Sequence, residues 1–325
     1  MQSVSQKQPV SLRIHKIAAL QPGPKLIVLG AVHGNETCGT RAIARILSEI
    51  DSGALRIERG TLTLVPVTNP LAYQLGQRQG DRNLNRHLLP NQAPVEFEDR
   101  IANVLCPLLA EHDVLVDLHS FHTPGMPFVM VGPRNNNDNI EPFAHAAEEG
   151  RLVAHLGPRR FVEGWMDTYA RGVARRRVEH PDMPPASLDK AYGIGTAEYI
   201  RTCGGYGVTL ECGQHDDPLA PEVAYTAIRQ ALAVLGMADI PLVKPEGPAQ
   251  LLRLCEVIDR AHAGDRFSKP WASFDRVEAG DIIGYREDGS VVAAPGDGHV
   301  VFPNPNALPG NEWFYFAKVS DRSIL

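Results

Sequence analysis

Short apolar runs alternate with helix-periodic segments along the first two-thirds of the chain, and this alternation restricts the fold more than any other feature. Residues 26–29 are Leu-Ile-Val-Leu, closed by a turn that begins at Gly30. An apolar run without polar alternation reads as a strand buried on both faces. Residues 37–50 follow, with Ala42, Ile43, Ile46, Leu47 and Ile50 at helical spacing. Residues 62–67, 114–118 and 206–211 repeat the strand signature, and residues 98–109 and 223–235 repeat the helical one. Strands alternating with helices predict an α/β layer fold: a largely parallel sheet flanked by helices.

Two stretches break the pattern. Residues 154–197 carry several Pro and Gly, the run Arg175-Arg176-Arg177 and little periodicity. They read as a long surface excursion forming a wall or lid, with the arginines on a solvated face. Pro241, Pro245 and Pro248 then mark a linker. Beyond it, β-like runs at 280–285, 291–294, 299–302 and 313–319 are separated by Gly, Asp and Pro. Two domains are therefore expected, a larger one over 1–244 and a small β-rich one over 245–325.

Composition narrows the partners. A net charge of −6 spread along the chain argues against nucleic acid. No apolar run approaches the ~18–20 residues of a membrane span. The polar residues 1–8 lack the apolar stretch of a signal peptide, so a cytoplasmic location is expected. The five cysteines are scattered, with no Cys-x-x-Cys pair, and read as reduced thiols, several of them packed in the core.

The chemistry concentrates at two strand ends. In Gly30-Ala31-Val32-His33-Gly34-Asn35-Glu36, an imidazole and a carboxylate sit three residues apart, leaving a strand and entering a helix. That spacing can aim both at one point, and zinc accepts both ligand types while keeping a position for water. Asp117-Leu118-His119 supplies a third ligand at the end of another strand. Sites in open α/β sheets lie beyond the carboxyl ends of the strands, so both segments deliver to one edge. Either motif alone is commonly structural; the two together, with Glu211 at a third strand end, point to a metal centre of His33, Glu36 and His119. Glu211 can take a proton from water activated by the metal and deliver it to a leaving amine.

His33-Gly34-Asn35-Glu36, Asn83-Leu84-Asn85-Arg86, Asp117-Leu118-His119 and the Glu211-Cys212-Gly213 setting, in that order, resemble the succinylglutamate desuccinylase/aspartoacylase family. The resemblance covers residues 25–240 and, more loosely, the β-rich tail. It implies a zinc-carboxypeptidase-like fold with one zinc per chain, the catalytic domain being 1–244, and hydrolysis of a linear amide in an N-acyl amino acid. By the same resemblance Glu211 and Arg78 are catalytic, with Arg78 polarising the scissile carbonyl. Asn85 and Arg86 bind substrate, Arg86 on its carboxylate. Asp81 could orient one of these arginines. Arg201, ten residues before Glu211, matches the spacing of a further substrate-binding arginine. Asp117 is either a partner of a metal ligand or a buried structural carboxylate. His122 and His215 follow site segments closely and are candidates for lining the pocket.

The chain departs from the family at Asn83, where the family usually has Asp, which removes a negative charge near the site. In related enzymes a C-terminal β domain narrows access, and the same is expected here. The alternatives are a metallocarboxypeptidase acting on a peptide or cell-wall fragment, and a non-catalytic metal-binding module. A retained Glu211 argues against the module. The partner expected is a small-molecule N-acyl amino acid; a homo-oligomer, the acyl group and the amino acid stay open.

Overall fold

The computed structural model describes residues 7–137, 141–179 and 188–324. Along the chain lie β1 (His15–Ala18), β2 (Gln21–Gly30), α1 (Cys38–Asp51), β3 (Arg59–Val65), α2 (Pro70–Leu75), α3 (Phe97–Ala110) and β4 (Val114–Phe121). There follow β5 (Phe128–Met130), α4 (Ala146–Val153), β6 (Arg160–Glu163), α5 (Trp165–Glu179), α6 (Thr196–Thr202), β7 (Tyr206–Gln214) and α7 (Ala220–Val234). The C-terminal stretch is β-rich: β8 (Gln250–Asp259), β9 (Arg266–Phe267), β10 (Asp275–Val277), β11 (Ile282–Tyr285), β12 (Val291–Ala293), β13 (Gly298–Val301) and β14 (Glu312–Val319).

The sheet is mixed. β3, β2, β4 and β7 run parallel as its centre, with β1 antiparallel on the outer edge of β3. On the other side β5 pairs antiparallel with β7, and β6 pairs parallel with β5 and with β8. β8, β14, β13 and β10 then extend the same sheet antiparallel, so it runs unbroken into the C-terminal stretch. A separate small sheet holds β9, β11 and β12.

Period-two geometry sorts the central strands into two faces. Val114, Val116 and Leu118 of β4 share one core cluster with Val208, Leu210 and Cys212 of β7 and the apolar stripes of α1 and α7. Leu115 packs on the opposite face with Ile27 and Leu29 of β2, Ile101 and Leu105 of α3, and Ile200 of α6. Asp117 and His119 follow Leu115 on that second face. Glu211 joins them there, because its neighbours Leu210 and Cys212 point the other way.

Residues 154–197 differ from the sequence expectation where they are described; residues 180–187 lie outside the described residues. They contribute strand β6, the helix α5 and the start of α6. Arg177 is exposed as expected, but the other two arginines are not on a solvated face. Arg176 is buried and binds Asp259 of β8 through Nε (2.9 Å) and an Nη (2.6 Å), and Arg175 reaches the same carboxylate. Packing an ion pair where an apolar stripe would stand is what hid the helical periodicity of α5.

Candidate active site

The loop from β2 to α1 is shaped by close backbone approach. A Cβ on Gly34 would lie 2.0 Å from the Ala72 carbonyl carbon, so only glycine lets α2 press against this turn. Ala31 takes a left-handed conformation (φ 47°) while fully buried, which turns the chain sharply after β2. Thr68 N and Asn69 N donate to Gly30 O and Ala31 O and tie the turn to the end of β3. The result delivers His33 and Glu36 to the edge where His119 lies near the end of β4.

These three side chains meet. Their ligand atoms lie within 4.8 Å of one another, and all three residues are buried. His33 Nδ1 is 2.8 Å from Glu36 Oε1, and His119 Nδ1 is 2.9 Å from Glu36 Oε2. Each imidazole is braced from behind. Asp117 Oδ2 lies 2.8 Å from His119 Nε2 and also accepts the Thr196 hydroxyl at the start of α6. Asn83 Oδ1 lies 3.0 Å from His33 Nε2. Bracing of this kind fixes the tautomer that leaves the opposite nitrogen free for a metal.

The electrostatics follow. Burial, then Arg78, push the His33 pKa down to about 4, keeping the ring neutral. Burial opposes charge on His119, but Asp117 and Glu36 outweigh it and hold its pKa well above the ordinary value. Glu36 stays well below the usual carboxylate range despite its burial, because both histidines favour its charge. Two imidazoles and a carboxylate converging without solvent fit a divalent cation, zinc by donor type.

Glu211 stands next to His119 in the parallel register of β4 and β7. It is 7 % exposed, and its Oε2 has no hydrogen-bond partner, a rare condition for a buried carboxylate oxygen. Burial pushes its pKa up to about 8, against the pull of His119 and Arg78.

The loop after α2 carries the remaining candidates. Arg78 donates to Glu36 Oε1 at 2.9 Å and keeps 40 % of its side chain exposed. Asn85 Oδ1 accepts Thr196 N at 3.0 Å, leaving its NH2 for a ligand. Arg86 donates to Glu312 of β14 (3.0 Å) and stacks over the Trp165 ring at 4.8 Å. Arg201 is held by Glu141 (2.6 Å), Glu149 (3.4 Å), Glu198 (3.5 Å) and the Gly207 carbonyl (2.6 Å). Asp81 does not orient an arginine; its Oδ2 accepts Phe97 N at the start of α3.

No motif marks Glu98, which organises this loop. Fully buried, it accepts Asn69 Nδ2 and Gly80 N on one oxygen and Asp81 N and Arg82 N on the other. Nor did any motif mark Glu312 or Trp165. His122 lines the cavity, while His215 lies behind it, 2.8 Å from Ser120 Oγ and ring to ring with His122 at 4.6 Å.

His33, Glu36, Arg78, Asn85, Arg86, His119, Arg201 and Glu211 all border one cavity of about 560 Å³, whereas Asp81, Asp117 and His215 do not. Trp165 and Tyr169 of α5 line the cavity together with Phe302 and the buried Tyr315, and the loop of residues 303–311, with Leu308 exposed, forms its mouth. That volume is in the range of small-molecule sites. No helix among the described residues is long and apolar enough to cross a membrane.

Comparison with known proteins agrees with this architecture. The succinylglutamate desuccinylase of Burkholderia thailandensis is 25% identical over 309 residues, covering 92% of this chain and 81% of that protein. A succinylglutamate desuccinylase/aspartoacylase from Rhodobacter sphaeroides superposes with a TM-score of 0.71 at 16% identity, over 96% of this chain and 90% of its own. The product-bound ectoine utilization protein EutE of Ruegeria pomeroyi gives 0.69 at 18% identity, over 94% and 88%. Residues 22–236 match the succinylglutamate desuccinylase/aspartoacylase catalytic domain, and the chain belongs to that family of hydrolases.

Proposed function

We propose that this chain is a zinc-dependent deacylase that hydrolyses the amide bond of an N-acyl amino acid. The observation that carries this reading is Glu211: a buried carboxyl group with an unpartnered oxygen, one strand over from the His33–Glu36–His119 cluster. A group that only held the sheet together would be expected to have its oxygens satisfied.

Zinc held by His33, Glu36 and His119 would supply Lewis acidity and lower the pKa of water to about 7. Glu211 takes the proton from the attacking water and returns it to the nitrogen of the leaving amine. Arg78, adjacent to the cluster and open to the cavity, stabilises the oxyanion that forms on the carbonyl. Asn85 and Arg86 orient the carboxylate of the amino acid, consistent with their place on the cavity wall. The loop of residues 303–311 at the mouth supports a short acyl amino acid over the peptide chain of a metallocarboxypeptidase.

The test is hydrolysis of a panel of N-acetyl and N-succinyl amino acids, with zinc and after chelation. Activity should require the metal. Glu211→Gln should still bind one zinc per chain and lose turnover by about 100-fold or more. Hydrolysis indifferent to the chelator would sink the reading, and near-normal turnover in the variant would remove Glu211 from it.

A further inference from the structure

The arginines that border the cavity are unequal. Arg78, Arg86, Arg176 and Arg201 all line it. Arg86 keeps 10 % of its side chain exposed and is matched by Glu312. Arg176 keeps 6 % and is gripped on two nitrogens by Asp259. Arg201 keeps 3 % and faces three carboxyl groups, Glu141, Glu149 and Glu198. Five carboxyl groups thus answer three arginines. Arg78 alone stays broadly open, and its one ion pair is with Glu36 of the metal cluster.

A buried arginine already paired offers hydrogen bonds to an incoming anion but little net charge. Drawing it away would leave its own carboxylate buried and unpaired, which costs several kcal/mol. The first carboxylate can take the free NH2 of Asn85 and a hydrogen bond from Arg86 in place; each one beyond it would meet that penalty.

One part of the cavity wall is built from rings. Trp165 lies 5.5 Å from Tyr315 and 6.0 Å from Tyr169 between centroids, Tyr169 lies 6.5 Å from Tyr192, and Phe302 lies 6.2 Å from Tyr315. Arg86 and Arg176 lie over two of these rings, each already paired with a carboxylate, and the ring surface that remains suits an apolar or aromatic group.

We infer that the pocket selects N-acyl amino acids with a single carboxylate and an uncharged, apolar or aromatic side group, and discriminates against substrates with two or three carboxylates. The specificity-determining residues are Glu312, Glu141, Glu149, Glu198 and Asp259, which occupy the arginines before the substrate arrives, Asp259 being shared with Arg175. The inference rests on the deacylase reading for the bond cleaved, and stands apart from it for the ligand recognised.

The experiment uses the zinc-loaded full chain with N-acetyl-L-phenylalanine, N-acetyl-L-aspartate and N-succinyl-L-glutamate. Turnover gives kcat/KM for each, and calorimetry on Glu211→Gln gives Kd without turnover. The phenylalanine compound should lead by about tenfold or more in both measurements. If none is cleaved while binding keeps this order, the deacylase reading fails and the ligand class stands. Equal binding, preference for a polycarboxylate, or binding of none of them overturns the inference. Glu312→Gln releases Arg86 and should raise the aspartate-to-phenylalanine ratio by about tenfold. Glu141→Gln acts on Arg201, in the same direction and from a separate element, and decides the matter if the first variant does not fold. An unmoved ratio in a folded variant overturns the charge argument.

Discussion

Asn83 Oδ1 lies 3.0 Å from His33 Nε2, in the place behind one imidazole that Asp117 occupies behind the other. The two histidines of the cluster are thus braced unequally, one by a neutral amide and one by a carboxylate. A carboxylate makes its histidine a stronger electron donor, and partners of this kind change metal affinity by about 10–100-fold. Asn83→Asp should therefore tighten zinc binding by about tenfold. The new side chain can keep the other contact of Asn83, in which Oδ1 accepts Asn85 N at 2.9 Å. Competition against a chelator of known affinity measures this; unchanged or weaker binding would show that Asn83 does not set the affinity.

Glu98→Gln should destabilise the fold and disable the site together. Four donors converge on the two carboxylate oxygens of Glu98. An amide turns one oxygen into a donor facing donors, and each buried group left unmet costs about 1–3 kcal/mol. Urea unfolding should fall by roughly 2–4 kcal/mol on that basis. Because the loop carries Arg78, Asn83 and Asn85, kcat/KM should fall even where the variant is fully folded. A variant with wild-type stability and activity would mean the loop holds its shape without Glu98.

How much of this was legible in sequence follows from the range of each interaction. The strand at 26–29, the helix at 37–50 and the segments around His119 and Glu211 were readable because hydrophobic period and glycine turns are local signals. The His33–Glu36–His119 convergence could be inferred because parallel strands end at one edge. Strands β5 and β6 and the helix α5 were not read. β5 and β6 are too short to show a period, and α5 fills its inner face partly with Tyr169 and the Arg176–Asp259 pair. Glu98, Glu312 and Glu141 owe their roles to partners far away in the chain, such as the 226 residues that separate Arg86 from Glu312. No spacing rule encodes such a pairing.

Glu141 makes the stability of the fold fall as pH rises. Burial, more than offsetting the attraction of Arg201, pushes its pKa from the ordinary 4.5 up to about 7. Between those two values the folded chain holds a proton that the unfolded chain releases, so stability is lost with rising pH, by up to about 1.4 kcal/mol per pH unit for one proton. Glu141→Gln imitates the protonated form and removes that dependence. Relative to the unsubstituted chain, the variant should gain stability between pH 5 and pH 8 in paired urea titrations. A loss over that interval would show that the ion pair with Arg201 outweighs burial.

The C-terminal stretch should limit the size of substrate through a few exposed side chains at the mouth, not through its presence as a whole. Removing it is uninformative, because β8 pairs with β6, and Leu252, Leu254 and Tyr315 share a core with Phe128 and Val162. Leu308 is the better target: it borders the cavity and is 68% exposed, so the core does not depend on it. Replacing it with Gly widens the mouth without touching the metal cluster or Glu211. An apolar side chain of that size is worth about 1–3 kcal/mol of discrimination at a pocket wall. Leu308→Gly should thus raise kcat/KM for an N-acyl dipeptide relative to the N-acyl amino acid by about tenfold, at wild-type thermal stability. If the ratio stays fixed while the fold is intact, residues 303–311 line the mouth without restricting it.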